Sequence, residues 1–275
     1  MLPQLLPSDW LYLAVASAGI GFSKSGFPGV SMLHVAVFAM IFEAKLSTGV
    51  LLPMLIFGDV CAITFFGRRA VWSQIRRLLP PTLVGIVAGW YLMDRLPTSI
   101  FRMAVAAIIL ILTAIQAYRM FGRTRDPAGE SGVGGESEGG TLGAKSADAP
   151  KQSEGGFRRW GLAIVLGFLA GMTTMMANAA GPVVALYLLT VRLPKWELIG
   201  TAAWLFLVLN ICKLPFSYNL GLINGSTLSI GMMLAAMIPI GMTLGSYLVG
   251  RISQRAFDAL LLAFTAVMAI AVGRG

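Results

Sequence analysis

Charged residues, cysteine and histidine are all scarce in this sequence. Only 12% of the residues are Asp, Glu, Lys or Arg, whereas 57% are hydrophobic, and this balance excludes an ordinary soluble domain. The two cysteines, Cys61 and Cys212, lie in apolar segments, so we expect buried thiols and no disulfide. His34 is the only histidine, and no metal-ligand spacing, Ser-His-Asp set or phosphate loop occurs. We therefore expect neither an enzyme nor a bound cofactor or metal.

What the sequence has in abundance is long apolar runs. Several of them approach or exceed the roughly 20 residues that a helix needs to cross a bilayer. The sequence therefore predicts an all-α polytopic membrane protein. Its net charge of +9 comes from basic residues in short loops between these runs, which positive-inside topology explains better than nucleic-acid binding does. We expect a multi-pass protein of the inner cell membrane whose partners are the lipid bilayer and a small solute, with no nucleic acid, and we leave monomer or homodimer open.

One apolar run, from Trp10 to Phe42, is interrupted by the stretch Gly-Phe-Ser-Lys-Ser-Gly-Phe-Pro-Gly at residues 21–29. The glycines loosen the backbone, and the proline removes a hydrogen-bond donor and disfavours helix at the residue before it. The sequence predicts short helices at Trp10–Ile20 and Val30–Phe42 on either side. A broken backbone at membrane depth is tolerated only where it is buried in protein or lines a wet cavity.

A second interruption of the same kind occurs about 150 residues later in the chain, as the inverted-repeat pattern of transporters would place it. It is the stretch Gly-Met-Thr-Thr-Met-Met-Ala-Asn-Ala-Ala-Gly-Pro at residues 171–182, and we expect short helices near Trp160–Met172 and Gly181–Val191. Two interrupted apolar segments at corresponding positions of two halves are the best sequence pointer to the binding site of a transporter.

The remaining apolar runs predict full membrane spans, three in each half. They are Leu46–Phe66, Leu78–Met93, Ile100–Met120, Trp196–Tyr218, Ser226–Val249 and Ala256–Val272. Between the halves the composition changes to Gly, Ser, Glu, Asp and Ala without any apolar period, which is typical of a disordered linker. We place the first transmembrane repeat at residues 1–121, the linker at 122–157 and the second repeat at 158–275.

The two halves align residue against residue. At an offset of 150 Gly21 meets Gly171, at 151 Asp59 meets Asn210, and at 156 the Gly-x-x-x-Gly at 85–89 meets the one at 241–245. This pattern indicates an internal duplication. Most basic residues fall on one side if the linker is cytoplasmic, and that arrangement requires an odd number of crossings in each half. We therefore predict inverted repeats, each a broken hairpin plus three full helices, while five spans with two short ones satisfy the same parity.

Polar residues in and near the two breaks are the candidate site. An intramembrane charge is by default a functional-site hypothesis, so Lys24 is the main candidate for binding an anion. The alternative is a lysine that snorkels to the interface from a short helix. The neutral candidates are hydroxyl and amide groups suited to oxyanion oxygens, or else caps of the broken helix ends. They are Ser23, Ser25, Thr173, Thr174 and Asn178.

A further polar group is predicted deep in the third helix of each half. Asp59 could bind a coupling cation or proton, or pair with a buried lysine. Asn210 is its repeat mate, and Lys213 lies one turn beyond it. These matched positions predict a polar cluster around the pseudo-twofold axis, although Lys213 is near the end of its span and snorkelling explains it equally well. We interpret His34 as a packed residue in preference to a proton relay.

Two groups of motifs together resemble the sulfite exporter (TauE/SafE) family of membrane transporters. The first half carries residues 21–29, Ser-Thr-Gly-Val-Leu-Leu-Pro at 47–53 and the Gly-Asp pair at 58–59. The second half carries Ala-Asn-Ala-Ala-Gly-Pro at 177–182 and Asn-Ile-Cys-Lys-Leu-Pro at 210–215. The resemblance implies two homologous halves and passage of small anions such as sulfite, sulfonates or related organic anions.

We therefore expect a secondary transporter that moves a small anion through a site between the two breaks. Two alternatives stay open from the sequence. The first is a proton- or cation-coupled carrier of another small solute, in which Asp59 is the essential group and Lys24 its counter-charge. The second is a non-transporting assembly or sensor subunit that acts through its linker.

Overall fold

The computed structural model describes residues 5–26 and 31–97, most of 99–114, and residues 152–191 and 193–248. All regular elements in these ranges are helices, apart from short turns between them. The helices, in chain order, are α1 Pro7–Lys24, α2 Ser31–Ile41, α3 Ala44–Phe66, α4 Trp72–Arg95, α5 Ser99–Ile108, α6 Gln152–Ala177, α7 Gly181–Thr190, α8 Lys195–Asn219, α9 Gly225–Ala235 and α10 Met237–Leu248.

Four segments of the described residues are long and apolar enough to cross a membrane by length and composition. They are Ala44–Arg69, Trp160–Ala177, Trp196–Asn219 and Gly225–Tyr247. The all-α polytopic membrane architecture predicted from the sequence is confirmed. The predicted span Ala256–Val272 and nearly all of the predicted linker lie outside the described residues, although α6 begins at Gln152, inside the range assigned to the linker.

The structure changes the predicted limits of the two breaks. α1 continues through Gly21 to Lys24, four residues beyond the predicted end at Ile20, and α6 continues through Gly171 to Ala177. The glycines at the start of each interrupted stretch are therefore helical. Their role lies in helix packing, which requires residues without a side chain where two backbones meet closely.

The predicted span Ser226–Val249 is divided into α9 and α10 at Ala236. Pro239 explains the division, because its nitrogen cannot donate to the carbonyl of Ala235 and its ring clashes with that group. Both pieces nevertheless continue along the same side of the molecule, since α9 and α10 both contact α1 and α3.

The first helix of each half packs against a late helix of the other half. α1 packs on α10, and a Cβ added at Gly21 would lie only 1.9 Å from the carbonyl oxygen of Ile238. A Cβ at Gly241 would lie 1.8 Å from the carbonyl oxygen of Ala18. Only glycine permits this approach of the two backbones, because real Cβ contacts are never so short.

The same contact recurs between α6 and α4. A Cβ at Gly171 would lie 2.0 Å from the carbonyl oxygen of Thr82, and one at Gly85 would lie 2.1 Å from that of Phe168. These residues are the counterparts of the α1 and α10 residues at the offsets of 150 and 156 found in the sequence. Equivalent residues of the two halves thus make equivalent contacts. The opposite orientation of the halves across a membrane stays a prediction.

The two long helices α3 and α8 pack on each other in the middle of this arrangement. The turn after α3 is fixed to α8 by two hydrogen bonds. Trp204 Nε1 donates to the carbonyl of Gly67 over 3.1 Å, and the Val71 amide donates to Thr201 Oγ1 over 2.9 Å. These contacts hold α8 in place, and one of its faces forms a wall of the site described next.

Candidate functional site

The two breaks each contain a residue with a positive φ within two residues of a helix end. Gly26 has φ 119° beyond α1, and Asn178 has φ 51° beyond α6. Glycine takes such conformations without steric cost, and asparagine is among the few other residues that tolerate the left-handed region. The chain then resumes as α2 at Ser31 and as α7 at Gly181. Residues 27–30 lie outside the described part of the first break.

A buried ion pair connects the end of α1 to α3. Lys24 Nζ donates to Asp59 Oδ1, and Asn210 Nδ2 of α8 donates to Asp59 Oδ2 over 2.7 Å. The side chain of Asp59 is fully buried and that of Lys24 is 11% exposed. The ammonium also lies 5.0 Å from the ring centroid of Phe206, a cation–π distance. Asp59 is therefore bonded at both oxygens, and its charge is balanced by Lys24.

A second buried lysine connects α8 to the end of α6. Lys213 Nζ donates to the carbonyl of Thr174 over 3.1 Å, to Thr174 Oγ1 over 3.2 Å and to Asn178 Oδ1. Asn178 Nδ2 in turn donates to the carbonyl of Thr48 on α3 over 3.2 Å. Lys213 is only 2% exposed, so it does not snorkel to an interface. Its ammonium faces the carbonyl end of α6, where a positive charge is favoured.

In each half a lysine connects a broken hairpin to a long helix, but the element that carries the lysine differs between the halves. In the first half the lysine is on the broken hairpin and its acceptor, Asp59, is on the long helix α3. In the second half the lysine is on the long helix α8 and its acceptors, Thr174 and Asn178, are on the broken hairpin. The carboxylate cancels one of the two ammonium charges, and every described acceptor of Lys213 is neutral. With both lysines protonated and Asp59 ionised, the cluster therefore has a formal excess of one positive charge.

A cavity of about 90 Å³ lies between the two breaks and α8. That space exceeds what one buried water requires by several fold, so a small solute fits. Its polar lining comes from the two breaks, the first turn of α2 and one residue of α8, namely Ser23, Lys24, Ser31, His34, Thr174, Asn178 and Asn210. Its apolar lining comes mainly from α7 and from the face of α8 that carries Ile199, Ala202, Phe206 and Asn210.

The cavity is bordered by the beginnings of two helices. Ser31 opens α2 and Gly181 opens α7, and both line the cavity. The dipole of a helix makes its N-terminal end attractive to anions. Two helix starts border this cavity, and the ammonium of Lys213 is bonded to Thr174 and Asn178, which line it. This environment suits a negatively charged group.

Most of the side chains that the sequence singled out surround this cavity. Ser23, Lys24, Thr174, Asn178 and Asn210 line it. The other two charged residues, Asp59 and Lys213, bond to residues that line it.

The hydroxyls of Ser25 and Thr173 do not reach the cavity. Ser25 Oγ donates to the carbonyl of Phe22 over 2.7 Å, and Thr173 Oγ1 donates to that of Leu169 over 2.8 Å. Ser23 lines the cavity, yet its Oγ also donates to its own helix, at the Ile20 carbonyl. Each of these three hydroxyls donates to a carbonyl three or four residues earlier in its own helix, the local back-bonding that serine and threonine often make in helices.

Phe206 and His34 are among the cavity residues that the sequence did not single out for the site. Phe206 was one of many phenylalanines, although it lies one helical turn before Asn210 and therefore on the same face of α8. His34 was interpreted as a packed residue. It is indeed only 1% exposed, but it also lines the cavity.

Comparison with known protein families gives a match along nearly the whole chain. The family described as "Sulfite exporter TauE/SafE" matches residues 13–272. The chain belongs to this family. Searches of curated proteins and of solved structures gave no match. The TauE/SafE match includes both breaks and every described residue of the cavity. It also includes the long helices α3 and α8, which carry Asp59 and Asn210. The resemblance stated from the sequence motifs is confirmed, and the chain is a multi-pass membrane protein of a transporter family.

Proposed function

We propose that this TauE/SafE protein is a secondary transporter of small anions, such as sulfite, sulfonates or related organic anions, and that it binds them in the cavity between the two breaks. The observation that carries the proposal is the excess positive charge of the buried cluster beside two helix starts. Buried charges are normally paired, so an uncompensated ammonium next to a cavity favours an anionic occupant. We place the protein in the inner membrane with its linker in the cytoplasm, and we propose no enzymatic activity.

Lys213 supplies the uncompensated charge in this proposal. Lys24 was the main candidate from the sequence, but its charge is balanced by Asp59 in the structure. Lys213 instead holds Thr174 and Asn178, two residues that line the cavity, so its charge is transmitted to the cavity through polarised neutral groups. An anion at Asn178 would therefore gain from Lys213 even without touching it.

Asp59 provides a second candidate function, a proton- or cation-coupled carrier. Both of its oxygens are bonded, which favours a proton over a metal cation as the coupled species, because a cation would need free oxygen ligands. Protonation of Asp59 would release the ammonium of Lys24, which lines the cavity, to an anion there. Binding of an anion and uptake of a proton would then favour each other, and the two functions become one mechanism.

The test is flux in proteoliposomes that contain the purified full-length protein. Sulfite and ethanesulfonate should be transported, and acidification should increase transport if Asp59 is the coupling group. Lys213→Met should lower the affinity for the anion at least about tenfold, because a hydrogen-bonded charge is lost from the site.

Lys45→Met is the matched control variant. Lys45 is another partly buried lysine, but it donates to the carbonyl of Leu96 and lies 5.5 Å from the ring centroid of Phe101, and it does not line the cavity. This variant should keep the affinity of the parent protein. Absence of flux for every anion tested, with protein correctly inserted, would contradict the proposed function.

A further inference from the structure

His34 is a buried polar side chain whose hydrogen bonding is incomplete. It stands in the first turn of α2, it lines the cavity, and only 1% of its surface is exposed. Its Nδ1 has no hydrogen-bond partner among the residues that the structure describes. Buried polar atoms are normally bonded, and each exception in a native protein calls for an explanation, of which an absent ligand is one.

The polar side chains near His34 are engaged with one another. Lys24 and Asn210 both donate to Asp59, and Thr174 and Asn178 both accept from Lys213. None of the described hydrogen bonds of these residues reaches the imidazole. A packed histidine with a structural role would be expected to share in such a network, because a half-satisfied buried group costs stability.

The imidazole has the chemistry to bind an oxyanion. A neutral ring carries one N–H donor and one nitrogen acceptor. Nδ1 is enclosed in the structure, but the torsion about the Cβ–Cγ bond of histidine is roughly two-fold, so a half-turn exchanges Nδ1 with Cδ2. The ring can therefore present either edge to an occupant of the cavity without a change in the backbone of α2.

We infer that His34 is a substrate-binding residue that donates a hydrogen bond to one oxygen of the transported anion. This inference rests on the proposed function and adds a specific contact to it. The contact lies on α2, at the cavity that Ser31 and Lys24 also line. An oxyanion held there would accept a charge-assisted hydrogen bond from the imidazole N–H, a contact that a structural histidine does not require.

Two substitutions separate binding from packing. His34→Asn keeps an amide close to the position of Nδ1, and His34→Leu fills a similar volume without any polar atom. Met32→Leu is the control, since Met32 is also 1% exposed on α2 but does not line the cavity. Affinities of the purified full-length variants for sulfite and ethanesulfonate are measured by calorimetry, and melting temperatures are measured without anion.

For His34→Leu we expect weaker binding of the anion but no loss of thermal stability. Its affinity should fall about tenfold or more, the loss that corresponds to one hydrogen bond to a charged group. Its melting temperature without anion should be equal to or above that of the parent, because an unbonded buried nitrogen is removed. His34→Asn should bind within about threefold of the parent, since it retains a donor for an anionic acceptor, and Met32→Leu should bind as the parent does.

Unchanged affinity in both His34 variants, with a parent protein that binds, would overturn this inference and leave the proposed function standing. A lower melting temperature of His34→Leu together with weak binding in Met32→Leu would assign His34 a packing role and overturn it equally. A parent protein that binds none of the anions would overturn the proposed function, and the inference with it.

Discussion

The ion pair between Lys24 and Asp59 is the contact whose removal tests the buried cluster most directly. It joins the end of α1 to the middle of α3, with Asp59 fully buried and the Lys24 side chain 11% exposed. We consider the neutral replacements Lys24→Met and Asp59→Asn, alone and combined. If the pair is a structural unit, each single change leaves one charge without its partner and the double change removes both charges.

The two single changes should lower the free energy of unfolding by different amounts. Lys24→Met leaves a buried carboxylate with Asn210 as its described partner, and breaking a buried ion pair in this way costs about 3–5 kcal/mol. Asp59→Asn keeps a hydrogen-bonding amide beside Asn210 and leaves an ammonium that borders the cavity and Phe206. We expect this change to cost less, about 1–3 kcal/mol, as for one unsatisfied group. The double variant should be more stable than the sum of the single effects predicts, by about 2 kcal/mol.

The free energy of unfolding is measured for the full-length protein in mixed micelles by reversible denaturation with SDS. Lys45→Met combined with Asp59→Asn is the control, because Lys45 donates to a backbone carbonyl and not to a carboxylate. That pair of changes should be additive. The reasoning would be refuted if the effects of Lys24→Met and Asp59→Asn on the free energy of unfolding simply add in the double variant. It would also be refuted if Lys24→Met lowers the free energy of unfolding no more than Lys45→Met does.

Two further predictions concern the packing and the orientation of the halves. Gly241→Ala should destabilise the protein by about 1–3 kcal/mol because of overpacking, since the new Cβ would meet the Ala18 carbonyl at 1.8 Å. Gly225→Ala, with nothing within 4 Å of its Cβ, should leave the melting temperature unchanged or slightly higher. Single cysteines at Arg95 and Arg251, in a background without the native cysteines, should be labelled from opposite sides, the first from outside. Labelling of both from the same side would show parallel repeats.

The sequence predicted the fold class, the two breaks and the general position of the polar residues. It did so because apolar runs, glycine, proline and buried charge each indicate a particular local structure. The alignment of the halves also placed Asp59 and Asn210 at matched positions, and the structure joins these two side chains by a hydrogen bond of 2.7 Å. The polar residues at these matched positions predicted a cluster between the halves, and this contact lies within it.

The partners of the charges could not be predicted. Lys213 lies 39 residues from Thr174, and its position near a predicted span end favoured snorkelling as much as burial. Packing between helices decides which face of α8 turns toward the break after α6. The spacing of residues within α8 does not reveal that face. Gly21 and Gly171 were assigned to the breaks for a related reason. A glycine that loosens a backbone and one that receives another helix look the same in a sequence.

The crossed packing of α1 on α10 and of α6 on α4 affects the order in which the protein can be assembled. The helix that covers Gly21 is synthesised more than 200 residues after it, so α1 is made long before its main neighbour exists. During that interval the face of α1 that carries Gly21 lacks its native partner. A chain interrupted before residue 237 therefore carries an α1 without its principal contact, and the packing of the first half is completed only by the last described helix of the second.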